Sequence, residues 1–169
     1  MDVVIRRMER KDVVDLVAGF GAEGWERSAS GFEAYLDEQD RGERVVLIAL
    51  AEGRPAGFGS LVWTPSYPGF REAGIPEVHD LNVLPSRWRQ GVATHMMDEL
   101  ERLAGERSSG VGIGVGMHPG YGPAQRLYVL RGYVPDARGL SYDDRPVKSG
   151  ETLPVDDGLN LHLVKDLRV

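Results

Sequence analysis

Arg87, Arg89 and Gly91 fall within "RWRQG", directly ahead of the long amphipathic pattern "VATHMMDELERLA". A helix start carries unpaired N–H groups and a partial positive charge, so cations and bare backbone placed there can hold a phosphate. Gly91 and Ala93 keep bulky side chains away, and Arg87 and Arg89 add charge suited to pyrophosphate oxygens. The same residues also suit an ordinary loop with solvated arginines, and the local pattern alone leaves both readings open. The usual nucleotide fingerprints are absent: there is no Gly-Lys-Ser/Thr, and no Gly-x-Gly-x-x-Gly opens this helix.

Composition narrows the chemistry. The 169 residues contain no cysteine, which excludes disulfides, thiolate metal sites and a cysteine nucleophile. The 4 histidines do not show zinc-type spacing, so no metal is expected. A net charge of −6 argues against a nucleic-acid partner. No stretch approaches the roughly 18 apolar residues of a membrane span, and "MDVVIRRMERKD" lacks the apolar run of a signal peptide. The expectation is one cytoplasmic domain over residues 1–169 with a real core.

The elements that must position these residues follow from periodicity. "VVIRRM" reads as a strand, and Val13, Val14, Leu16, Val17 and Phe20 fall at helical spacing. "GFEAYLDEQD" predicts a short second helix with Phe32, Tyr35 and Leu36 on one face. Val45–Ala51 and Ala56–Trp63 form a hairpin around Glu52-Gly53-Arg54. Thr64–Pro76, rich in Pro and Gly, reads as a long loop of the kind that carries function. Glu77–Leu84 is the fourth strand. The long helix follows, with Val92, Ala93, Met96, Met97, Leu100, Leu103 and Ala104 on one face. "GVGIGVGM" alternates Val111, Ile113, Val115 and Met117 with glycines, which suggests close approach by another backbone or a ligand. "PGYGPAQRLYVLRGY" is a helix with Pro123 in its first turn and Gly132 at its end. The segment from Asp136 to Gly158 reads as a loop, and Leu159, Leu161 and Leu163 mark a last alternating strand. The order β-α-α-β-β-β-α-β-α-β predicts an α/β (α+β) fold with one mixed sheet.

Two stretches together resemble a family. "VLPSRWRQGVATHMMDELE" is similar to the acyl-CoA-binding motif of the GCN5-related N-acetyltransferases, in which Arg/Gln-x-x-Gly-x-Gly/Ala opens a long helix; Gly91 and Ala93 match its small positions. "AQRLYVLRGYVP" resembles the family's Ala-x-x-Leu-Tyr-x-x-x-Gly-Phe/Tyr signature through Ala124, Leu127, Tyr128, Gly132 and Tyr133. The pair, in this order with a Val/Gly strand between, is more specific than either alone, and the resemblance covers nearly the whole chain. There are departures. Trp88 stands at the first motif position, Tyr121 stands where relatives often carry Asn, and the loop Ala137–Gly158 is longer than the minimal fold needs.

The resemblance implies a mixed, mostly antiparallel sheet flanked by helices and acetyl-CoA as cosubstrate. It implies contacts to the pantetheine arm from the backbone of Leu81, Asn82 and Val83, where the fourth strand splays from the fifth. The pyrophosphate would rest on the backbone of Arg89, Gln90, Gly91, Val92, Ala93 and Thr94. A primary amine of a small molecule would attack the thioester directly, which needs a base, an oxyanion donor and an acid. Tyr128 is the implied acid for the leaving thiolate. Glu77 and His79 match the positions where relatives place a base, and strand alternation puts both on one face. Asp80 then points to the other face and is the weaker candidate. The oxyanion donor would be a backbone N–H near Leu81 or Asn82.

Of the other histidines, His95 is expected on the polar helix side, His162 on the outer strand face, and His118 at a strand end near the cofactor. Trp25, Phe32, Tyr35, Trp63, Tyr67 and Phe70 supply aromatic surface, some of it core, for an acceptor site built from the first two helices, Thr64–Pro76 and the tail loop. A homodimer fits the family. A non-catalytic acyl-CoA sensor and a protein N-terminal or lysine acetyltransferase are the alternative readings.

Overall fold

The computed structural model describes residues 2–168, which divide into two compact units: Met1–Trp63 with Val78–Leu103, and Thr64–Glu77 with Ala104–Val169. Alternating and β-branched runs become strands, and 3.6-residue periods become helices, as their burial requires. The sheet structure is mixed and mostly antiparallel, the class expected.

In the first unit the strand order is β1 (Val3–Arg7), β2 (Arg44–Ala51), β3 (Arg54–Val62) and β4 (Glu77–Val83, whose first residue falls in the second unit). β2 and β3 join through Glu52-Gly53, both at positive φ, the primed turn whose twist matches a hairpin. Helices α1 (Val13–Ala22) and α2 (Ala29–Asp40) turn Leu16, Phe20, Phe32 and Leu36 onto Val46, Ile48 and Phe58. Phe20 and Phe32 each meet the Phe58 ring edge-on, at 5.4 and 4.9 Å between centroids. Phe32 is therefore core and not acceptor surface. The long helix α4 (Val92–Gly105) buries Val92, Met96, Met97, Leu100 and Leu103, the face that its period marks.

In the second unit the order is β5 (Gly110–Gly116), β8 (Leu159–Asp166), β6 (Val134–Tyr142) and β7 (Arg145–Pro146), with α3 (Pro68–Ala73) and α5 (Gly122–Leu130). Two segments expected to be loops are partly regular. Thr64–Pro76 contains α3, started by Pro68 and stopped by Gly74 in the left-handed region. The tail segment contains β6 and β7; residues 136–139 bulge out where the register jumps from Pro135↔Leu163 to Leu140↔Leu161.

At its first residue the glycine face of β5 meets a backbone, since a Cβ on Gly110 would lie 3.2 Å from the Lys165 carbonyl oxygen, but further along the strand the neighbours are side chains. There the glycines receive rings of the chain itself. A Cβ on Gly112 would lie 2.5 Å from the Phe70 ring, one on Gly116 2.3 Å from the Tyr121 ring, and one on Gly114 3.2 Å from His162. His162 is accordingly not on an outer face: it is 2% exposed and stacks on Tyr67 at 3.4 Å and 2°. Tyr67 and Phe70 are likewise buried.

Two outcomes follow from this packing. Gly112→Ala pushes a methyl into the buried Phe70 ring, and chemical denaturation is expected to show a loss of about 1–3 kcal/mol. Burial pushes the His162 imidazole below its ordinary value. Between that lowered value and the unfolded value of about 6.5, the unfolded chain binds the extra proton. Stability should therefore fall as pH drops through about 6.5. In His162→Phe, which keeps a flat ring against Tyr67, denaturation midpoints across pH 5–8 should lack this part of the slope.

Candidate active site

The segment between β4 and α4 is a tight series of turns. A 3₁₀ turn runs over Pro85–Arg87, Arg89 takes φ 58° and Gly91 φ 83°. A Cβ on Gly91 would meet only the His95 ring, at 3.8 Å, so the left-handed backbone and not crowding calls for glycine there. The first N–H groups of α4 have no partner within the helix; the first bond closing on this turn runs from the His95 N–H to the Gly91 carbonyl, 3.0 Å. Arg87 lies 3.7 Å from Glu52, whereas Arg89 is exposed and makes no ion pair among the described residues. Glu23 accepts hydrogen bonds from the Ser86 N–H and hydroxyl, and Gln90 donates to the Ser86 carbonyl at 2.9 Å. Open N–H groups, a cation and absent side-chain bulk form a donor set that fits a pyrophosphate.

Trp88 secures this loop to the strand. Its indole N–H donates to the Val83 carbonyl at 2.8 Å, its ring lies 6.0 Å from Trp25, and half of it (51%) stays exposed. The residue where a cation was expected thus supplies the N–H but no charge.

On β4 the two expected base positions differ in environment. Glu77 is 8% exposed, whereas His79 is exposed. Asp80 takes φ 55°, which interrupts the strand's alternation, so its side-chain direction cannot be counted from its neighbours. Its carboxylate accepts hydrogen bonds from the Tyr35 hydroxyl (3.1 Å) and the Asn82 amide (2.7 Å) and lies 3.7 Å from Arg27. Arg27 in turn donates to the Asn82 side-chain oxygen at 2.8 Å. Burial and the Asp80 charge push the Tyr35 phenol up to about 12, which keeps it a donor. Arg44 lies 4.1 Å over the Tyr35 ring and 3.3 Å from His79 Nδ1. Sequence reasoning passed over Arg27, Arg44 and the Asn82 side chain. The one available signal was a charged residue heading the apolar run "RVVLIALA", which cannot be buried without partners.

In the second unit Tyr128 is 5% exposed, and no hydrogen bond to its hydroxyl occurs among the described residues. Burial, with a smaller contribution from Tyr121, pushes the phenol well above its ordinary range and keeps it protonated. The helix α5 that carries it ends with the Tyr133 N–H on the Tyr128 carbonyl at 3.0 Å and Gly132 at φ 87°. Tyr121 covers Gly116 and donates to Asp157 at 3.0 Å, beside His118, whose Nε2 meets the same carboxylate at 3.0 Å. The His118 bond and then the Tyr121 bond hold Asp157 below the usual carboxylate range. His95 is exposed, as its helix position predicts. Among the described residues no group of His, Asp and Glu side chains is placed to hold a metal, and no helix is long and apolar enough to cross a membrane.

The family model described as "Acetyltransferase (GNAT) family" matches residues 11–133. None of the curated proteins matches the chain in sequence. In fold, the chain is similar to an N-acetyltransferase from Staphylococcus aureus, at 16% identity, TM-score 0.72 and 99% coverage of both chains. It is similar to a ribosomal-protein-alanine N-acetyltransferase from Brucella melitensis at 21% identity and TM-score 0.68, covering 96% of this chain and 99% of that one. It is also similar to yncA from Salmonella typhimurium, solved with its cofactor acetyl-CoA, at 17% identity, TM-score 0.68 and coverage of 99% and 95%.

Proposed function

The chain belongs to the acetyltransferase (GNAT) family, and we propose on that footing that it moves an acetyl group directly from acetyl-CoA to a primary amine of a small molecule, as one cytoplasmic domain over residues 1–169. The observation that carries this reading is the head of α4, where left-handed backbone at Arg89 and Gly91 leaves N–H groups and one cation open to a pyrophosphate. The backbone of Arg89–Thr94 holds the phosphates, and the backbone of Leu81, Asn82 and Val83 lines the pantetheine arm. One lone pair of the Val83 carbonyl is already taken by Trp88.

Acetyl-CoA supplies the thioester whose carbonyl carbon the amine attacks; the new C–N bond forms and the C–S bond breaks. The chain's own groups manage the protons. A base from the pair Glu77 and His79 takes the ammonium proton, so that the nitrogen has its lone pair. A backbone N–H near Leu81 or Asn82 meets the oxygen as it gains charge. Tyr128 gives its proton to the departing sulfur, a role that its burial supports by keeping the phenol neutral at working pH.

The test is thiol release from acetyl-CoA across a panel of amines, with the wild type beside Tyr128→Phe. The wild type should turn over at least one amine. Tyr128→Phe should lower kcat by roughly 10²-fold while leaving CoA affinity, measured by calorimetry, unmoved. Tight CoA binding with no turnover of any amine would instead identify a non-catalytic sensor.

A further inference from the structure

Arg27 stands directly before Ser28, whose hydroxyl caps α2 by accepting the Gly31 N–H at 3.1 Å. From there its guanidinium reaches β4. One terminal nitrogen donates to the Asn82 side-chain oxygen at 2.8 Å, and the other lies 3.7 Å from Asp80 Oδ1. The Asn82 amide nitrogen donates to that same Asp80 oxygen at 2.7 Å. Cation, amide and carboxylate thus close a ring. The guanidinium lies 5.4 Å over the Phe58 ring, which belongs to the core. The backbone of this stretch is also gripped from β3. A Cβ on Gly57 would lie 2.6 Å from the Asn82 carbonyl oxygen and 3.2 Å from Val83 Cα, so the two strands touch backbone to backbone with no room for a side chain at 57.

A side-chain amide has one accepting end and one donating end. Between a guanidinium, which only donates, and a carboxylate, which only accepts, Asn82 has a single orientation; the flipped amide would set donor against donor and acceptor against acceptor. A charge at each end strengthens both bonds. Asp80 is left-handed at φ 55°, and the bond from Asn82 back to it spans the peptide units on either side of Leu81. That bond fixes how the chain leaves the kink. We propose that Arg27 is a positioning residue of the acyl-transfer site: through the Asn82 amide it holds the peptide planes of Leu81–Val83 at the angle in which a backbone N–H meets the thioester oxygen. This inference rests on the acyl-transfer reading above and deepens it, since the oxyanion donor then depends on a side chain 55 residues away, on the connection between α1 and α2. Tyr35 also donates to Asp80, at 3.1 Å, so loss of Arg27 loosens the amide without releasing the carboxylate.

Two measurements on the full chain test the assignment. The first is amide hydrogen exchange resolved by residue. Arg27→Ala and Asn82→Ala should each speed exchange at Leu81–Val83 by about 10-fold, the loss of one hydrogen bond, with the β2 amides exchanging as in the wild type. The second is a double-mutant cycle in kcat with the best amine from the panel. Each single variant should lower kcat by about 10-fold with the acetyl-CoA KM unmoved. The double variant should be no slower than either single, because Arg27 acts only through Asn82. Exchange at Leu81–Val83 that stays at the wild-type rate in both variants would overturn the assignment. So would kcat losses that multiply in the double variant, or a loss confined to KM. Exchange is readable whether or not any amine turns over, so failure of acetyl transfer and failure of this brace are told apart.

Discussion

A guanidinium taken out of water organises the first unit. Desolvating a charge costs several kcal/mol even after relaxation, and only near-complete hydrogen bonding offsets it. Arg44 meets that demand by drawing Glu38 and Tyr35 of α2, Ser60 of β3 and His79 of β4 onto one side chain. The apolar cluster around Phe20, Phe32 and Phe58 supplies most of the cohesion but specifies orientation only loosely, because dispersion is non-directional. The polar bonds give the direction. Lysine could not replace this arginine, since one ammonium cannot reach a carboxylate, a hydroxyl and an imidazole while lying flat on a phenol.

β4 carries this order toward the chemistry. Asp80 breaks the strand with a left-handed residue, a conformation that costs of order 1 kcal/mol for a residue with a side chain. The surroundings over-determine it: Tyr35, Asn82 and Arg27 all converge on its carboxylate. The interruption separates His79, tied to Arg44, from the backbone at Leu81–Val83, the stretch proposed above to line the pantetheine arm. At the strand's end the Trp88 indole fastens the turns ahead of α4 to Val83.

Local signals made much of this legible. The 3.6-residue period gave the α4 face, and Glu52-Gly53 gave the hairpin, because each depends only on neighbours in sequence. What escaped was non-local or short. α3 is one and a half turns inside a Pro/Gly-rich stretch, too short to show a period. β6 is interrupted by four bulged residues rich in turn formers. His162 was misplaced because its leucine neighbours reported one face of β8 only. The other face is dictated by Gly114 across the pairing, nearly fifty residues away. Bare glycines beside a strand correctly signalled close approach, but sequence could not say that aromatic rings made it. The Arg44 group joins positions 35, 38, 44, 60 and 79, which no window contains.

The turns ahead of α4, the proposed phosphate site, show how a motif can lose its signature residue and keep its physics. The family position for Arg or Gln does two things when it carries a cationic or amide side chain: it donates N–H bonds, and in the Arg case it adds charge. Here the functions are divided. Trp88 keeps the donor, bonding Val83 with its indole N–H, and its ring packs toward Trp25. The charge moves one residue on, to Arg89, and the left-handed φ of 58° turns that side chain into solvent, where no carboxylate neutralises it among the described residues. A Trp at the first position would be an error if the site depended on that side chain's charge. It is tolerable under the proposed function because the helix-start N–H groups and the bare backbone at Gly91 offer an anion donors that do not depend on that side chain.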